Sequence, residues 1–431
     1  MIDIVEYTSD PLPDKLHAIV SRTTDFTPEL EATVQEIISA VRHQGDRALL
    51  EYTHKFDGVL LRAEDLRVTQ SEIETAYRDT DSNLIEVITA AADNIRRFHS
   101  AQKQTSWFIE DGDGVILGKR LLPLERVALL IPGASAPLFS TLLMAAIPAQ
   151  IAGVPHLCVA TPPQPNGTVH PAVLAAAHIL GITEIYKMFG AQAVAALAYG
   201  TESVPKVDKL VGPGHPSVQI AKKRVFGTVD IDMVAGPSEI VVIADTGADP
   251  SHIAADLLSQ AEHGSGFEAA LCITPSADLA QKVAQEVQIQ AADLTHREAI
   301  EQALKNYGAV VIVKDLAEAI DLSNRIAPEH LELIVDDPWS HLESVRHAGA
   351  IFLGTASSEP VGDYYAGTNH ILPTAGAARF ASSVGVDTFT KNISIVHYTP
   401  KRLQKTAGHI ITMAEAEGLD AHANAIRKRQ T

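Results

Sequence analysis

Apolar and polar residues recur along this chain in two different periods. Near the start the period is helical. Thr27-Pro28 supplies a cap and a proline at the first helical position, and Leu30, Val34, Ile37, Ile38 and Val41 then mark one face. Gly45 closes that helix, and Asp46 is placed to cap the next, which carries Leu49, Leu50 and Tyr52. From Val127 onward, short continuous apolar runs alternate with alanine-rich helices. Strands are expected over 127–131, 157–161, 185–189 and 209–211, with helices over 141–152, 171–180 and 192–199. A second series places strands at 240–244, 269–274, 309–313, 331–335 and 350–353, and the tail adds a strand at 393–397 and a helix at 403–417. Continuous apolar strands separated by helices imply parallel sheets covered on both faces. The fold class is α/β, in two units.

The 431 residues exceed one ordinary domain. The 53 acids outnumber the 34 bases, giving a formal charge of -19. A polyanionic partner needs clustered Lys and Arg, so neither nucleic acid nor an anionic membrane is expected; Arg427-Lys-Arg429 reads as a solvated end. Cys158 and Cys272 sit in apolar runs and read as buried, unpaired and inert, which suits a reducing compartment. The start of the chain lacks a signal-peptide pattern, and the apolar stretch from Leu138 to Val154 is interrupted by Pro148 and Gln150. A cytoplasmic location is expected.

Candidate chemistry is concentrated in a few segments. Gly362-Asp-Tyr-Tyr-Ala-Gly-Thr-Asn-His370 packs carboxylate, phenols, amide and imidazole between glycines, which suits a site better than a core. Asp249-Pro250 starts a helix that ends Ser259-Gln-Ala-Glu-His263-Gly264, where Gln260 and His263 share a face. Glu329-His330 precedes a strand and offers two proton-transfer groups. After Gly418 ends the tail helix, His422 follows in a loop among acidic neighbours. No G-x-G-x-x-G fingerprint follows an expected strand, so pattern alone does not announce a dinucleotide. The loop Ile131-Pro-Gly-Ala-Ser-Ala-Pro-Leu138 offers only backbone N–H groups at a helix start.

Taken together, Ile231–Ile240, Leu258–Gly264, Ile326–Glu332, Val361–Thr374 and Met413–Ala425 resemble the histidinol dehydrogenase family in text, order and spacing. The resemblance implies two incomplete Rossmann-like domains with small N- and C-terminal pieces. Its division is residues 1–24 as an N-terminal segment, 25–130 with 238–384 as the larger domain, 131–237 as the nucleotide side, and 385–431 as a tail exchanged between the subunits of a homodimer. It implies zinc, one per subunit, held by Gln260, His263, Asp363 and the partner's equivalent of His422. It implies Glu329 and His330 as the catalytic pair, His330 taking the alcohol proton and Glu329 activating water. Ser238, Glu359, His370 and Glu417 match substrate-contacting positions, together with the ligands and His330. The reaction implied is oxidation of L-histidinol to L-histidine with two NAD.

The departures fall on the cofactor side. Where the family commonly has Tyr and a Pro-Gly-Gly loop, this chain has Leu130 and Pro132-Gly-Ala134. Where it commonly has Asn after Gly-Pro-Gly, the residue is His215. Gln192 retains the nucleotide-contacting match. Weaker NAD binding or a changed pose is therefore expected. Two alternatives stay open: a paralogue oxidising another amino- or sulfo-alcohol, or a zinc-binding protein that has lost turnover.

Overall fold

A computed structural model describes residues 2–9, 11–22, 26–133 and 137–430. Two parallel sheets form its frame. The first has five strands, in the order Ile185–Lys187, His156–Thr161, Arg126–Leu130, Lys209–Val211, Asp230–Ile231. The second has six, in the order Asp3–Glu6, Gly308–Ile312, Ala269–Thr274, Glu239–Ala244, His330–Ile334, Ala350–Leu353. All pairings in both are parallel. The central strands are buried along their whole length, as continuous apolar runs require. A smaller antiparallel sheet joins Thr390–His397 to Ile116–Pro123, and that strand to Trp107–Glu110.

Local signals act as expected at many ends. Thr27 caps Pro28–Gln44 through its hydroxyl, and Asp249 caps Pro250–Ala261. Gly45 takes φ 56°, ends the first helix and itself caps Asp46–Asp57, so Asp46 is that helix's first residue rather than its cap. Pro148 lies inside Phe139–Ala152, a helix buried nearly all round.

Packing differs from the expected division in three places. The strand Arg126–Leu130 belongs to the five-stranded sheet, so a border after residue 130 separates it from its own neighbours. The helices between Pro28 and Ser100 lay their apolar faces on the helices of that same sheet: Val34, Ile37 and Val41 share a core with Val194 and Leu210, while Ile88, Ala91 and Ile95 share one with Leu142 and Val173. The N-terminal strand Asp3–Glu6 is an edge strand of the six-stranded sheet, and Leu16 and Ile19 pack into that sheet's core. A helical stripe declares that a face is buried, not against which sheet.

Cys158 and Cys272 are buried in separate strands, and burial pushes both thiols up to about 12. Because the thiolate is the reactive form, neither should react with a thiol reagent in the folded protein at pH 8, and both should react in denaturant; a native thiol titration giving one or more fast groups would contradict this packing.

Candidate active site

The two sheets face one another across a cleft of about 190 Å³. The five-stranded sheet presents its strands' carboxyl ends there, through Gly212, Pro213 and Met233. The six-stranded sheet presents amino ends: Ser238 precedes the strand from Glu239, and Glu329 precedes the strand from His330. Asp363, His370 and His263 complete that wall. The helix Leu316–Ile326 ends at Ala327 in the left-handed region, φ 55°. A β-carbon is uncommon there, and the following Pro328 commits the chain to turn into the Glu329-His330 strand mouth.

His330 is fixed from one side. Its Nδ1 lies 3.0 Å from Gln260 Oε1 and 3.1 Å from the Glu239 carbonyl oxygen. Both are acceptors, so this network assigns the proton to Nδ1. Its Nε2 has no hydrogen-bond partner and points toward Asp363 Oδ1 at 3.5 Å. A buried imidazole with an open Nε2 lone pair is a proton acceptor waiting for a donor. Burial opposes the charged ring, but Glu329, Asp363 and Glu359 outweigh that and hold it up at about 10, so the ring offers its Nε2 lone pair only once a positive charge among those carboxylates offsets their pull.

Glu329 lies beside it, Oε2 3.8 Å from Nδ1, and accepts the Glu239 backbone N–H at 3.0 Å. Burial raises its carboxyl to about 7, offset in part by His330. Glu359 is buried, accepts the Ser259 hydroxyl at 2.8 Å, and is likewise pushed up to about 7 by burial. His370 donates from Nδ1 to the Asp363 carbonyl at 2.9 Å and takes the Thr141 hydroxyl at Nε2, 3.0 Å; burial lowers it, so it is the neutral ring.

Gln260 is fully buried behind the cleft wall, its amide between two imidazoles that line it: Oε1 on His330, and Nε2 3.2 Å from His263 Nδ1. His263 and Asp363 line the cleft with the Gln260 amide next to His263, together a nitrogen and oxygen donor set that suits zinc. Among the His, Cys, Asp and Glu of the described residues, a different group has the tightest grouping: potential ligand atoms of His330, Glu359 and Asp363 lie within 4.8 Å of one another. Only Asp363 is common to both sets. Glu417 and His422 are exposed and do not line the cleft of their own chain. His422 sits in the helix Asp420–Arg427, not in a loop.

The expected cofactor residues divide. Gln192 and His215 line a second, mostly apolar cleft of about 320 Å³ at the carboxyl end of the five-stranded sheet. His215 is the cap of the helix Pro216–Val225, with Nδ1 accepting the Ser217 N–H. Leu130 lines neither cleft; it is 1 % exposed and packs in the core with Ala128 and Cys158. A leucine ending a buried strand is an apolar core residue, so its expected contact with a nucleotide is corrected. Ala134 lies outside the described residues.

Sequence reasoning also missed a buried ion pair on the opposite wall. Lys222 is fully buried, its ammonium 2.5 Å from Asp232 Oδ1 and 2.8 Å from the Gly212 carbonyl. Asp232 also accepts the N–H groups of Gly212 and Met233. The pair ties together the two loops that form this wall. Gly212 takes φ 130°, and a β-carbon there would lie 2.3 Å from the Leu130 carbonyl oxygen, so only glycine passes. Within a run of Lys222-Lys-Arg224, nothing in sequence marks the first lysine as the buried one.

The comparisons with known proteins agree with this geometry. The sequence model of the histidinol dehydrogenase family matches residues 20–430. "Histidinol dehydrogenase 2" of Trichormus variabilis is 49% identical over 430 residues, covering 100% of this chain and 99% of that protein. "Histidinol dehydrogenase" of Syntrophotalea carbinolica is 50% identical over 429 residues, covering 100% and 99%. The crystal structure of histidinol dehydrogenase from Elizabethkingia anophelis superposes with a TM-score of 0.92 at 39% identity, covering 99% of this chain and 98% of that one. The fold and the relatives place the protein among α/β oxidoreductases, as a dehydrogenase. The chain belongs to the histidinol dehydrogenase family.

Replacing Lys222 by Met should leave Asp232 charged and unpaired in a closed wall. Breaking a buried pair from one side costs about 3–5 kcal/mol, so Lys222→Met should lose that much unfolding free energy in a urea titration. A loss under about 1 kcal/mol would mean the backbone donors hold Asp232 unaided.

Proposed function

We propose that this protein oxidises L-histidinol to L-histidine, through the aldehyde, in a four-electron reaction that forms two NADH. The observation that carries this reading is the Glu329–His330 pair, which lines one cleft with His263 and Asp363 and is backed by the buried Gln260. His330 Nε2 takes the hydroxyl proton of the alcohol. Its Nδ1–H bonds to Gln260 and the Glu239 carbonyl hold the ring so that this lone pair faces the cleft. NAD, when bound, supplies the hydride acceptor for each of the two oxidations.

Glu329 then serves as the base that draws a proton from water as it adds to the aldehyde. A carboxyl lifted by burial is a better base than one in water. His330 takes the second proton, from the hydrate. The N–H groups of the substrate's amine call for carboxylates, and Glu359, buried behind the cleft wall, supplies one. Ser238 and His370 are offered as further substrate contacts.

Gln260, His263 and Asp363 are the residues that would hold a divalent metal, zinc by their donor chemistry. Bound there, zinc would hold the imidazole and amine of the substrate rather than carry the proton transfers. Glu359 is reserved for the amine because its Oε2 is already committed to Ser259. The fourth ligand, His422, and the substrate contact Glu417 are proposed to come from the partner of a cytoplasmic homodimer. What supports the dimer is the exposed apolar surface on the small sheet next to the tail: Trp107, Phe108, Ile109 and Val396 are all more than half exposed, a cluster of the kind that marks an interaction site.

The alternatives weaken on the same residues. A binder without turnover has no use for the Glu329–His330 pair. A paralogue for another alcohol would have no reason to keep Glu359 and His370 at this cleft. The buried Leu130 gives a nucleotide no phenol to stack on, so NAD binding is expected to rely on Gln192 and His215.

With histidinol as the only substrate, two NADH should form per molecule consumed; prior chelation should abolish this, and zinc should restore it. One NADH, with aldehyde accumulating, would limit the reaction to its first half. Metal content separates the two candidate ligand sets: His263→Ala and Asp363→Asn should purify with little zinc, whereas Glu359→Gln should keep it. Zinc lost from Glu359→Gln and kept in His263→Ala would assign the metal to His330, Glu359 and Asp363 instead.

A further inference from the structure

The second cleft contains an unexplained acid. Asp57 is the last residue of the helix Asp46–Asp57, followed by Gly58 in the left-handed conformation. A carboxylate at a helix carboxyl end meets the negative end of the peptide dipoles. It is half-buried as well, and its Oδ2 has no hydrogen-bond partner among the described residues. Burial without a cation nearby pushes the carboxyl up to about 6. Every local rule disfavours an acid at this point, which marks a group kept for something other than the fold.

Across the same cleft stands Gln192, 1 % exposed, whose Nε2 is also buried without a partner. The rest of the lining is mostly apolar, Leu30, Val34, Ile37, Phe56, Pro162 and Phe189 among it, with Thr33, His215 and Ser217 as its other polar side chains. An apolar slot with one free acceptor and one free donor fits the edge of a flat heteroaromatic ring, which buries its faces and offers an amino hydrogen beside a ring nitrogen. A sugar would wet those apolar walls with hydroxyls. The slot shares no lining residue with the catalytic cleft, but the segment 212–217 lines both, Gly212 and Pro213 on one side, His215 and Ser217 on the other. A dinucleotide whose reacting ring lies at His330 would therefore bring its far base here.

We propose that Asp57 selects the base of the cofactor: its carboxylate accepts the 6-amino hydrogen of adenine, while Gln192 Nε2 donates to the adjacent ring nitrogen. The inference rests on the reading that NAD binds this protein. It assigns to Asp57 a specificity role that the resemblance did not give it.

The test is direct binding to the zinc-loaded protein, by calorimetry, of NAD and of nicotinamide hypoxanthine dinucleotide, in which the 6-amino group is an oxo group. Hydrogen bonds to a charged acceptor imply that the unmodified protein prefers NAD by about 10- to 100-fold. Asp57→Asn should lose or invert that preference, because an amide can donate to the oxo group. Asp57→Ala should weaken NAD and leave the analogue little changed. In the absence of nucleotide, Asp57→Asn should melt no lower than the unmodified protein, since it removes an unpaired acid. Equal binding of both dinucleotides by the unmodified protein, or the same preference in Asp57→Asn, overturns the role of Asp57 while leaving NAD as the cofactor. A lower melting temperature for Asp57→Asn overturns it too, by making the acid structural. If the unmodified protein binds neither dinucleotide, the cofactor reading fails and this inference fails with it.

Discussion

The hydrogen bond from His330 Nδ1 to Gln260 is the contact on which the catalytic wall depends. It fixes the tautomer, leaves Nε2 open, and joins a strand mouth to a helix end that are 70 residues apart in sequence. The Glu239 carbonyl shares the same Nδ1–H, and the Glu239 N–H is taken by Glu329. The backbone of one residue, Glu239, at the neighbouring strand start therefore positions both Glu329 and His330. Because His330 opens the strand beside it in parallel register, with His330 opposite Ile240, the pairing of backbone ladders sets the distance between catalytic side chains. Rigid strand ends are a better platform for that than loops would be.

Such a wall gathers acids that the interior would ordinarily refuse. Glu329, Glu332 and Glu359 are all raised by burial, and Glu332 shares its surroundings with Asp256. Asp363 departs from that pattern: burial raises it, yet the His330 ring facing it at 3.5 Å helps to pull it below the usual range. Carboxyls with such different proton affinities around one imidazole are the arrangement from which distinct acid and base roles arise.

Much of this frame was legible in the chain. Buried parallel strands read as continuous apolar runs, and the expected strands 209–211, 269–274 and 350–353 coincide with the observed ones, while the others differ by one to three residues at their ends. Asp3–Glu6, Trp107–Glu110 and Ile116–Pro123 were not legible, because they are short or largely exposed and their apolar residues make no continuous run of more than three. The site was legible as pieces. Gln260 with His263, and Glu329 with His330, stand at element ends where side chains are presented rather than packed, but nothing in their spacing brings the pieces together. Lys222, Asp232 and Asp57 escaped notice because a charged residue in an ordinary helix or loop segment reads as solvated. Their burial is a property of tertiary packing, and Leu130 shows the converse, a position expected at a ligand that the fold keeps for its core.

The opposition of the two sheets gives the cleft a physical polarity. In a parallel sheet the helices that follow strand carboxyl ends begin there, and those that precede strand amino ends finish there. The five-stranded sheet thus offers the starts of Phe139–Ala152, Ala191–Tyr199 and Pro216–Val225, whose free N–H groups favour anions. The six-stranded sheet offers the ends of Pro250–Ala261 and Leu316–Ile326, whose free carbonyls favour cations. Gln260, His263 and Glu329 stand on the cation-favouring side; Gln192 and His215 stand on the anion-favouring side. Anionic and cationic ligand groups are therefore favoured on opposite walls by backbone dipoles before any side chain is counted.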